Sequence, residues 1–549
     1  MSSTPSPGMP NSPLQSEKAK RYDRQLRLWG DHGQNALELA SVCLVNATAL
    51  GTEILKSLVL PGVGSFTILD AAQLTGEDVG NNFFLDADCI GASRGEVAMR
   101  LLLEMNQEVR GNCVQETVEQ VLESNAAFFS SFSLVVCCGL AEKSLLTVSR
   151  ALWDANIPLL VAKTSGFLGY LRLQVRETYI VETHPDNRVP DLRLDAPWPE
   201  LKEWLALEAD RMASKEGMTR QEHGHTPYPV ILYRFLEEWR ASHNNNIPAN
   251  YKEKKQFKEL IKTGLLKKEN HPDIDEDEEN FEEAVKAVNT VIAHTCIPDR
   301  TLQILNDECA TNLPNKPKSF WVMANALKQF VEAEKRLPVE GLMPDMFSDS
   351  ARYIRLHNIY REKANQDVEA VLRHVHRLSE SLSLSRDTVT EAEVRRFCRE
   401  ARFMRLERGC SLEAEYSGQG QTTNLQAGLE DPDSDALNYL VLRAVDRYTS
   451  EYCSIPGGTD AEVESDTLRL KSILTRLCTE AGLHPPPPGQ DDHIQEVCRY
   501  GGAELHSVAA FLGGCVAHEA IKLLTGQYVP INNVVLYNAV TSNVSTFKV

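Results

Sequence analysis

Residues 41–70 read SVCLVNATALGTEILKSLVLPGVGSFTILD, and their pattern decides the fold. Val42 to Val45 is a short apolar run rich in β-branched residues, the mark of a buried strand. From Gly51 to Leu60, Ile54, Leu55, Leu58 and Val59 fall on one helical face. Pro61, Gly62 and Gly64 then stop the helix. Phe66 to Leu69 forms a second strand, with Asp70 at its carboxyl end. Strand, helix and parallel strand make the βαβ unit of a nucleotide-binding fold. Such a fold uses glycines where backbone must approach a phosphate. Here the turn is Asn46-Ala47-Thr48-Ala49-Leu50-Gly51, and only its last glycine survives. The stretch predicts the fold without the phosphate cradle.

The flanking sequence extends the same pattern. Helix 93–105, strand Phe132–Cys138, helix Ser144–Trp153 and strand Leu159–Ala162 alternate, and Gly166–Val175 alternates as an antiparallel strand would. Residues 36–175 therefore read as a doubly wound, Rossmann-like α/β domain. From about 190 to 490 the pattern is mostly helical and charged. It carries a basic segment at 251–268 and an acidic run at 273–283, both read as solvated faces. The HPPPPG tract at 484–489 reads as a stiff linker. After it, an almost wholly apolar helix at 507–524 contains Gly513 and Gly514, which implies close packing of another element there. Strands Val534–Tyr537 and Val544–Phe547 follow. The expected organisation is a tail at 1–18, an α/β domain at 19–178, a helical insertion at 179–490 and the rest of the α/β domain at 491–549.

Composition bounds the function. The chain has 549 residues, 42% of them hydrophobic, and a formal net charge of −20. That charge argues against general binding to nucleic acid or to an anionic membrane. No run of about 18 apolar residues predicts a membrane span. The start, MSSTPSPGMPNSPLQS, reads as a disordered tail and not a signal peptide. Thirteen cysteines are scattered without a C-x-x-C pair, as buried reduced thiols of a cytoplasmic or nuclear protein would be.

Several strings together carry a family resemblance: RYDRQLRLWG from Arg21, the βαβ unit, GNNFFL, and AFLGGCVAHEAIKLLTGQYVPINN near the end. They resemble the adenylation fold of ubiquitin-activating enzymes. Length, insertion, GLMPDMFSDSARYIRLHNIYREKA at 341–364 and CRYGGAELHSVAAFLGG at 498–514 resemble one branch of that family. This is the regulatory half of its heterodimeric members that act on a Nedd-type ubiquitin-like modifier. The resemblance covers residues 20–549. It implies a catalytic partner subunit that holds ATP and Mg²⁺, the modifier itself, a transient conjugating enzyme, and a role in cullin neddylation and the cell cycle.

Adenylation in that family needs a glycine turn, acidic residues for ribose and metal, and cations for phosphate. Asp70 is present, but the family's second acid falls on Ala72. The family's asparagine–arginine pair falls on Asp78 and Asn81, before Asn82, Phe83 and Phe84. Where it places a metal-binding aspartate, the chain reads Gly139-Leu140-Ala141-Glu142-Lys143. These departures imply a pseudo-active half that binds no cofactor or metal of its own and is not catalytic alone.

Arg21, Arg24 and Arg27 fall on one helical face before Gly30 and Gly33 break the helix. By resemblance, Arg24 matches an arginine that reaches across the dimer to the partner's ATP, while Arg21 and Arg27 would form ion pairs. Cys296, in HTCIPDR, superficially looks like a thioester-forming site, but the resemblance implies an inserted domain without the catalytic cysteine. His223, His225 and His243 have too few neighbouring ligands for zinc and fit a helix start before Pro227. His374 and His376 read as exposed helix residues. The resemblance also marks a candidate partner-contact segment of Gly341, Leu342, Met343, Pro344, Asp345, Met346, Phe347, Ser348, Asp349, Ser350, Ala351, Arg352, Tyr353 and Ile354, for which core packing is the competing reading.

Two rivals stay open at this point. One is a self-sufficient adenylating or thioester-forming enzyme for another ubiquitin-like modifier. The other is a dinucleotide-dependent oxidoreductase, which the lost glycines oppose.

Overall fold

A computed structural model describes residues 17–214, 218–268, 271–385, 388–418, 422–431, 434–484 and 491–549. The expected tail lies outside these residues, except that Glu17 and Lys18 begin a short helix, Glu17–Arg21. Most of the HPPPPG tract lies outside them too. The chain divides into two compact units, Met1–Thr178 with Leu406–Val549, and Tyr179–Arg405.

The first unit is built on β1 (Ser41–Val45), β2 (Ser65–Leu69), β3 (Arg110–Val114), β4 (Leu134–Cys138), β5 (Leu159–Ser165), β6 (Leu168–Gln174), β7 (Val534–Asn538) and β8 (Asn543–Phe547). They form one sheet in the order β8-β7-β6-β5-β4-β1-β2-β3. The five strands from β3 to β5 are parallel, and β6, β7 and β8 add antiparallel. The two C-terminal strands thus complete the sheet, as the sequence predicts. Alternate residues of a strand face opposite sides. Cys43, Val45, Val135 and Cys137 accordingly enter one core, and Val42, Leu44, Val136 and Cys138 the other. Burial on both faces explains why these strands read as continuous apolar runs. It also turns the neighbouring Cys137 and Cys138 thiols to opposite sides, and burial pushes both well above the usual thiol range.

Helix α1 (Asp23–Leu39) does not end at its glycines. It kinks at Gly30 (φ 67°) and continues, with Gly33 buried. A Cβ at Gly33 would lie 2.9 Å from Trp29, so close packing, not helix termination, requires that glycine. Helix α2 (Ala49–Val59) starts at Thr48, whose hydroxyl accepts from the Gly51 amide at 3.3 Å. Gly51 keeps one role of the lost glycine motif, since a Cβ there would sit 2.5 Å from the Asn46 carbonyl oxygen. Helices α3 (Arg94–Met105) and α4 (Glu142–Ala155) flank the sheet.

The C-terminal helix, His506–Thr525, is long and apolar enough to cross a membrane by length and composition. Its Ala509, Leu512, Val516 and Ala517 nevertheless pack into the core beside Ile54 and Leu58 of α2. Gly513 permits that approach, because a Cβ would meet Glu53 at 2.8 Å, whereas nothing lies within 4 Å of one at Gly514.

The helical insertion is shorter than the sequence predicts. Residues 406–490 fall with the α/β unit, not with the insertion. Helix Ala436–Tyr452 buries Tyr439, Leu440, Val441 and Ala444 in the same core as Val135, Val148 and Leu152. A sheet with two apolar faces needs two covering layers, and this helix supplies one.

The second unit, Tyr179–Arg405, is almost all helix. Its core gathers Leu201, Leu205, Ile231, Phe235, Phe257 and Phe281 from successive helices. The basic segment forms helix Tyr251–Lys262, which buries only Phe257 and Ile261. Helices α5 (Tyr228–Ser242), α6 (Glu279–Val291), α7 (Ser319–Glu334), α8 (Ser350–Ser381) and α9 (Glu391–Glu400) complete the elements needed below.

Candidate functional site

Strand β1 delivers the chain to Asn46, which takes φ 69° and donates from Nδ2 to the Cys138 carbonyl at 2.9 Å. Asparagine tolerates this left-handed conformation better than most residues. The next amide, Ala47 N–H, donates to Asp70 Oδ2 at 2.8 Å, and Ala72 N–H to Oδ1 at 2.9 Å. Asp70 is 1% exposed.

Its remaining capacity goes to Arg94 at the start of α3. Arg94 Nε donates to Oδ2 at 2.8 Å and Nη2 to Oδ1 at 3.2 Å. The Nη1 nitrogen bridges to Asp78 at 3.0 Å. Burial opposes ionisation of Asp78, yet the Thr75 amide and hydroxyl together with Arg94 hold its carboxyl below the usual range. The aspartate that would read a ribose is therefore saturated by this chain's own guanidinium.

The start of α2 is also taken. Glu504 Oε2 accepts the Ala49 amide at 2.9 Å, and Oε1 accepts the Thr164 hydroxyl at 3.0 Å. A helix N-terminus offers unsatisfied N–H groups and the positive end of its dipole, which is why phosphates bind there. Here a protein carboxylate holds that position. Burial raises the Glu504 carboxyl, against the opposing pull of Thr164, the Ala49 amide, Thr48 and Arg94.

Beyond β4, Glu142 stands nearest to the place of a metal-binding aspartate. It pairs with Arg447 at 2.9 Å, and its buried Oε2 has no hydrogen-bond partner among the described residues. Among the described residues, no group of three or more His, Cys, Asp or Glu side chains could hold a metal ion. Asn82 Oδ1 accepts from the Thr52 hydroxyl at 3.3 Å and the Phe84 amide at 3.0 Å. Phe83 is 79% exposed and stacks on His506 at 3.6 Å. A nucleotide and its metal do not fit this set: the phosphate position carries a carboxylate and the ribose aspartate carries an arginine.

Arg94, Glu504, Thr164 and His506 are not legible as site residues in the sequence. One signal for Arg94 exists, since a cation in the first helical turn opposes the helix dipole and calls for a compensating partner. Glu504 gives no comparable signal, because its partner Ala49 lies 455 residues away.

Arg24 lies elsewhere. Gln25 beside it donates to the Pro61 carbonyl at 2.8 Å, and Tyr22 is held by Asn106, which also bonds the Val59 carbonyl. The start of α1 is thus anchored at the C-terminal end of α2, about 16 Å from the Ala49 end for an 11-residue helix. Arg24 is exposed and, among the described residues, has no hydrogen-bond or ion-pair partner. Arg27 pairs with Asp23 at 2.9 Å as expected. Arg21 instead donates to the Met105 carbonyl at 3.2 Å, not to a carboxylate.

Most of segment 341–354 is spent inside the helical unit. Met343 and Met346 pack on its core, and the Phe347 amide donates to Glu283 at 2.9 Å. Asp349 caps α8, and Arg352 reaches Thr226 at 2.9 Å and the Glu222 carbonyl at 2.8 Å. Leu342 and Ile354 are exposed. The histidines are structural: His223 meets Glu278 at 2.6 Å and stacks on Phe281, and His243 lies on Trp239 at 3.7 Å. His374 differs from expectation, being half-buried with Nδ1 2.8 Å from Gln329. Cys296 is exposed.

A model of the ThiF family matches residues 22–549. The chain belongs to the ThiF family. A Xenopus laevis protein named NEDD8-activating enzyme E1 regulatory subunit is 47% identical over 534 residues, 97% of this chain and 98% of that one. Its Gallus gallus namesake is 46% identical over 536 residues, 97% and 98% of the two chains. The Arabidopsis thaliana NEDD8-activating enzyme E1 regulatory subunit AXR1 is 37% identical over 532 residues, 96% of each. This ThiF chain therefore combines the family's sheet with a cradle filled from within.

Proposed function

We propose that this chain is the regulatory subunit of a heterodimeric NEDD8-activating enzyme. Its α/β unit is a pseudo-adenylation half. A catalytic partner subunit would hold ATP and Mg²⁺, adenylate the modifier's C-terminal glycine, form the thioester on its own cysteine and pass the modifier to a conjugating enzyme. A cytoplasmic or nuclear location goes with that work. The observation that carries the reading is the Glu504 carboxyl on the Ala49 amide, which occupies the N–H group that a nucleotide phosphate would need.

Arg24 is the one group we assign to the partner's chemistry. Its exposed guanidinium, without a partner among the described residues, lies at the end of α2 opposite the chain's own cradle. A permanently charged, planar donor suits phosphate oxygens. The candidate contacts of the helical unit reduce to the exposed Leu342, Asp345, Ser350, Ala351 and Ile354.

The deciding measurement is modifier-dependent ATP–pyrophosphate exchange, with the chain alone and with its catalytic partner. Exchange is expected only with the partner. Exchange by the isolated chain would establish the rival reading of a self-sufficient adenylating enzyme.

A further inference from the structure

The helical unit contains a cleft that the proposed function does not use. Its walls come from the loops at 189–195, 290–297 and 335–340 and from the end of α9. Leu192, Val291, Ile297 and Leu337 give it an apolar lining.

Most charges in the cleft are already matched. Asp191 pairs with Arg193 at 2.8 Å, and Asp195 accepts from the Thr295 amide and hydroxyl at 2.7 and 2.6 Å. Three groups are not matched. Glu340 is 8% exposed and its Oε2 accepts from Arg188 at 2.9 Å, but its buried Oε1 has no hydrogen-bond partner among the described residues. Among the described residues, the Arg402 and Lys335 side chains have no hydrogen-bond or ion-pair partner, although Arg402 lies over the Phe403 ring at 5.8 Å and its charge favours the ionised Glu340 carboxyl. The charge left over at the rim is therefore positive, above one buried acceptor that still lacks a donor.

We infer that this cleft binds a short acidic peptide segment of another chain, with a carboxylate on Arg402 and Lys335, a backbone N–H on Glu340 Oε1 and an aliphatic side chain against the half-buried Val291 and Ile297. A phosphate dianion fits less well, because the Glu340 carboxylate would repel it. The chain's own acidic run is out of reach. It lies at the start of α6 while the cleft lies beyond its end, and 13 residues of helix separate them by about 20 Å.

The test uses a fluorescein-labelled octapeptide of alternating leucine and aspartate, with a leucine–asparagine peptide as control, on the full chain and on its complex with the catalytic partner. The acidic peptide should bind at least tenfold tighter than the control. Arg402→Glu and Lys335→Glu should each weaken it at least tenfold, and Glu340→Gln at least threefold, with melting temperature unchanged in the two exposed variants. Exposed Cys296 lines the same cleft. The acidic peptide should slow its alkylation by N-ethylmaleimide at least threefold, read by peptide mapping. Equal binding of the two peptides, undiminished binding to Arg402→Glu, or an unprotected Cys296 would overturn the inference. Saturable binding of inorganic phosphate in place of the peptide would overturn it as well.

Discussion

Glu504 Oε2 lies 2.9 Å from the Ala49 amide nitrogen and caps a helix that begins 455 residues earlier in the chain. Through this bond the C-terminal segment closes the turn that the N-terminal βαβ unit opens. Glu504→Ala removes the acceptor from Ala49 N–H and from the Thr164 hydroxyl. The expected cost is about 1–2 kcal/mol, that of a lost helix cap. Thermal melting should show it as a drop of a few degrees. The variant should still give no ATP–pyrophosphate exchange alone, since Arg94 continues to occupy Asp70.

Arg94 is the second closure, and its loss should cost more. Arg94→Ala leaves Asp70 buried and without its cation, which typically costs about 3–5 kcal/mol. The pH dependence has a definite sign. Asp78 titrates below its unfolded value, so its stabilising contribution is present above about pH 4 and is lost as pH falls through the lower folded value. Without Arg94 the Asp78 carboxyl should titrate closer to its unfolded value, so the acid loss of stability that it contributes should shrink and the variant's urea midpoint, lower throughout, should fall less steeply below about pH 4. Urea midpoints measured from pH 3 to 7 on both proteins check this, and an unmoved acid limb would contradict it.

Arg24 gives the opposite pattern, activity without stability. Arg24→Ala removes an exposed side chain with no partner among the described residues. Its melting temperature should match that of the unaltered chain within about 1 °C, since such surface changes stay within about 0.5 kcal/mol. Exchange by the complex should fall about 100-fold, the usual scale for losing one preorganised donor to transition-state charge. Arg24→Lys should recover part of that. Arg27→Ala, which loses only an exposed pair with Asp23, should change exchange little.

How far the sequence could be read follows from range. Strands β1 and β4 and helix α2 are local patterns, and burial on both faces makes the strands unmistakable. Strand β3 reads RGNCV, lies at the sheet edge and carries no such pattern, so it is invisible to periodicity. The break at 405 is hidden because helix Ala436–Tyr452 looks like those of the insertion, and only the sheet face it covers sets it apart. The four departures from an adenylating site are single-residue facts, legible once a family frame exists. What fills the vacated positions is not legible, because Arg94 and Glu504 meet their partners 24 and 455 residues away.

The adjacent glycines of the C-terminal helix offer a sharper test of the fold, since the sequence treats them alike and the structure does not. Gly513 lies against α2, and an added Cβ would come within 2.8 Å of the Glu53 Cβ and 3.2 Å of its backbone. Neither element can yield easily, because both belong to one tightly packed core. Gly513→Ala should therefore destabilise by about 1–3 kcal/mol, the usual range for overpacking. Gly514→Ala meets nothing within 4 Å and should gain up to about 1 kcal/mol of helix propensity. Thermal melting of the two variants side by side decides it. Equal shifts would mean that the C-terminal helix does not approach α2 through Gly513, and that Glu504, two residues before that helix, is not held on Ala49 by this packing.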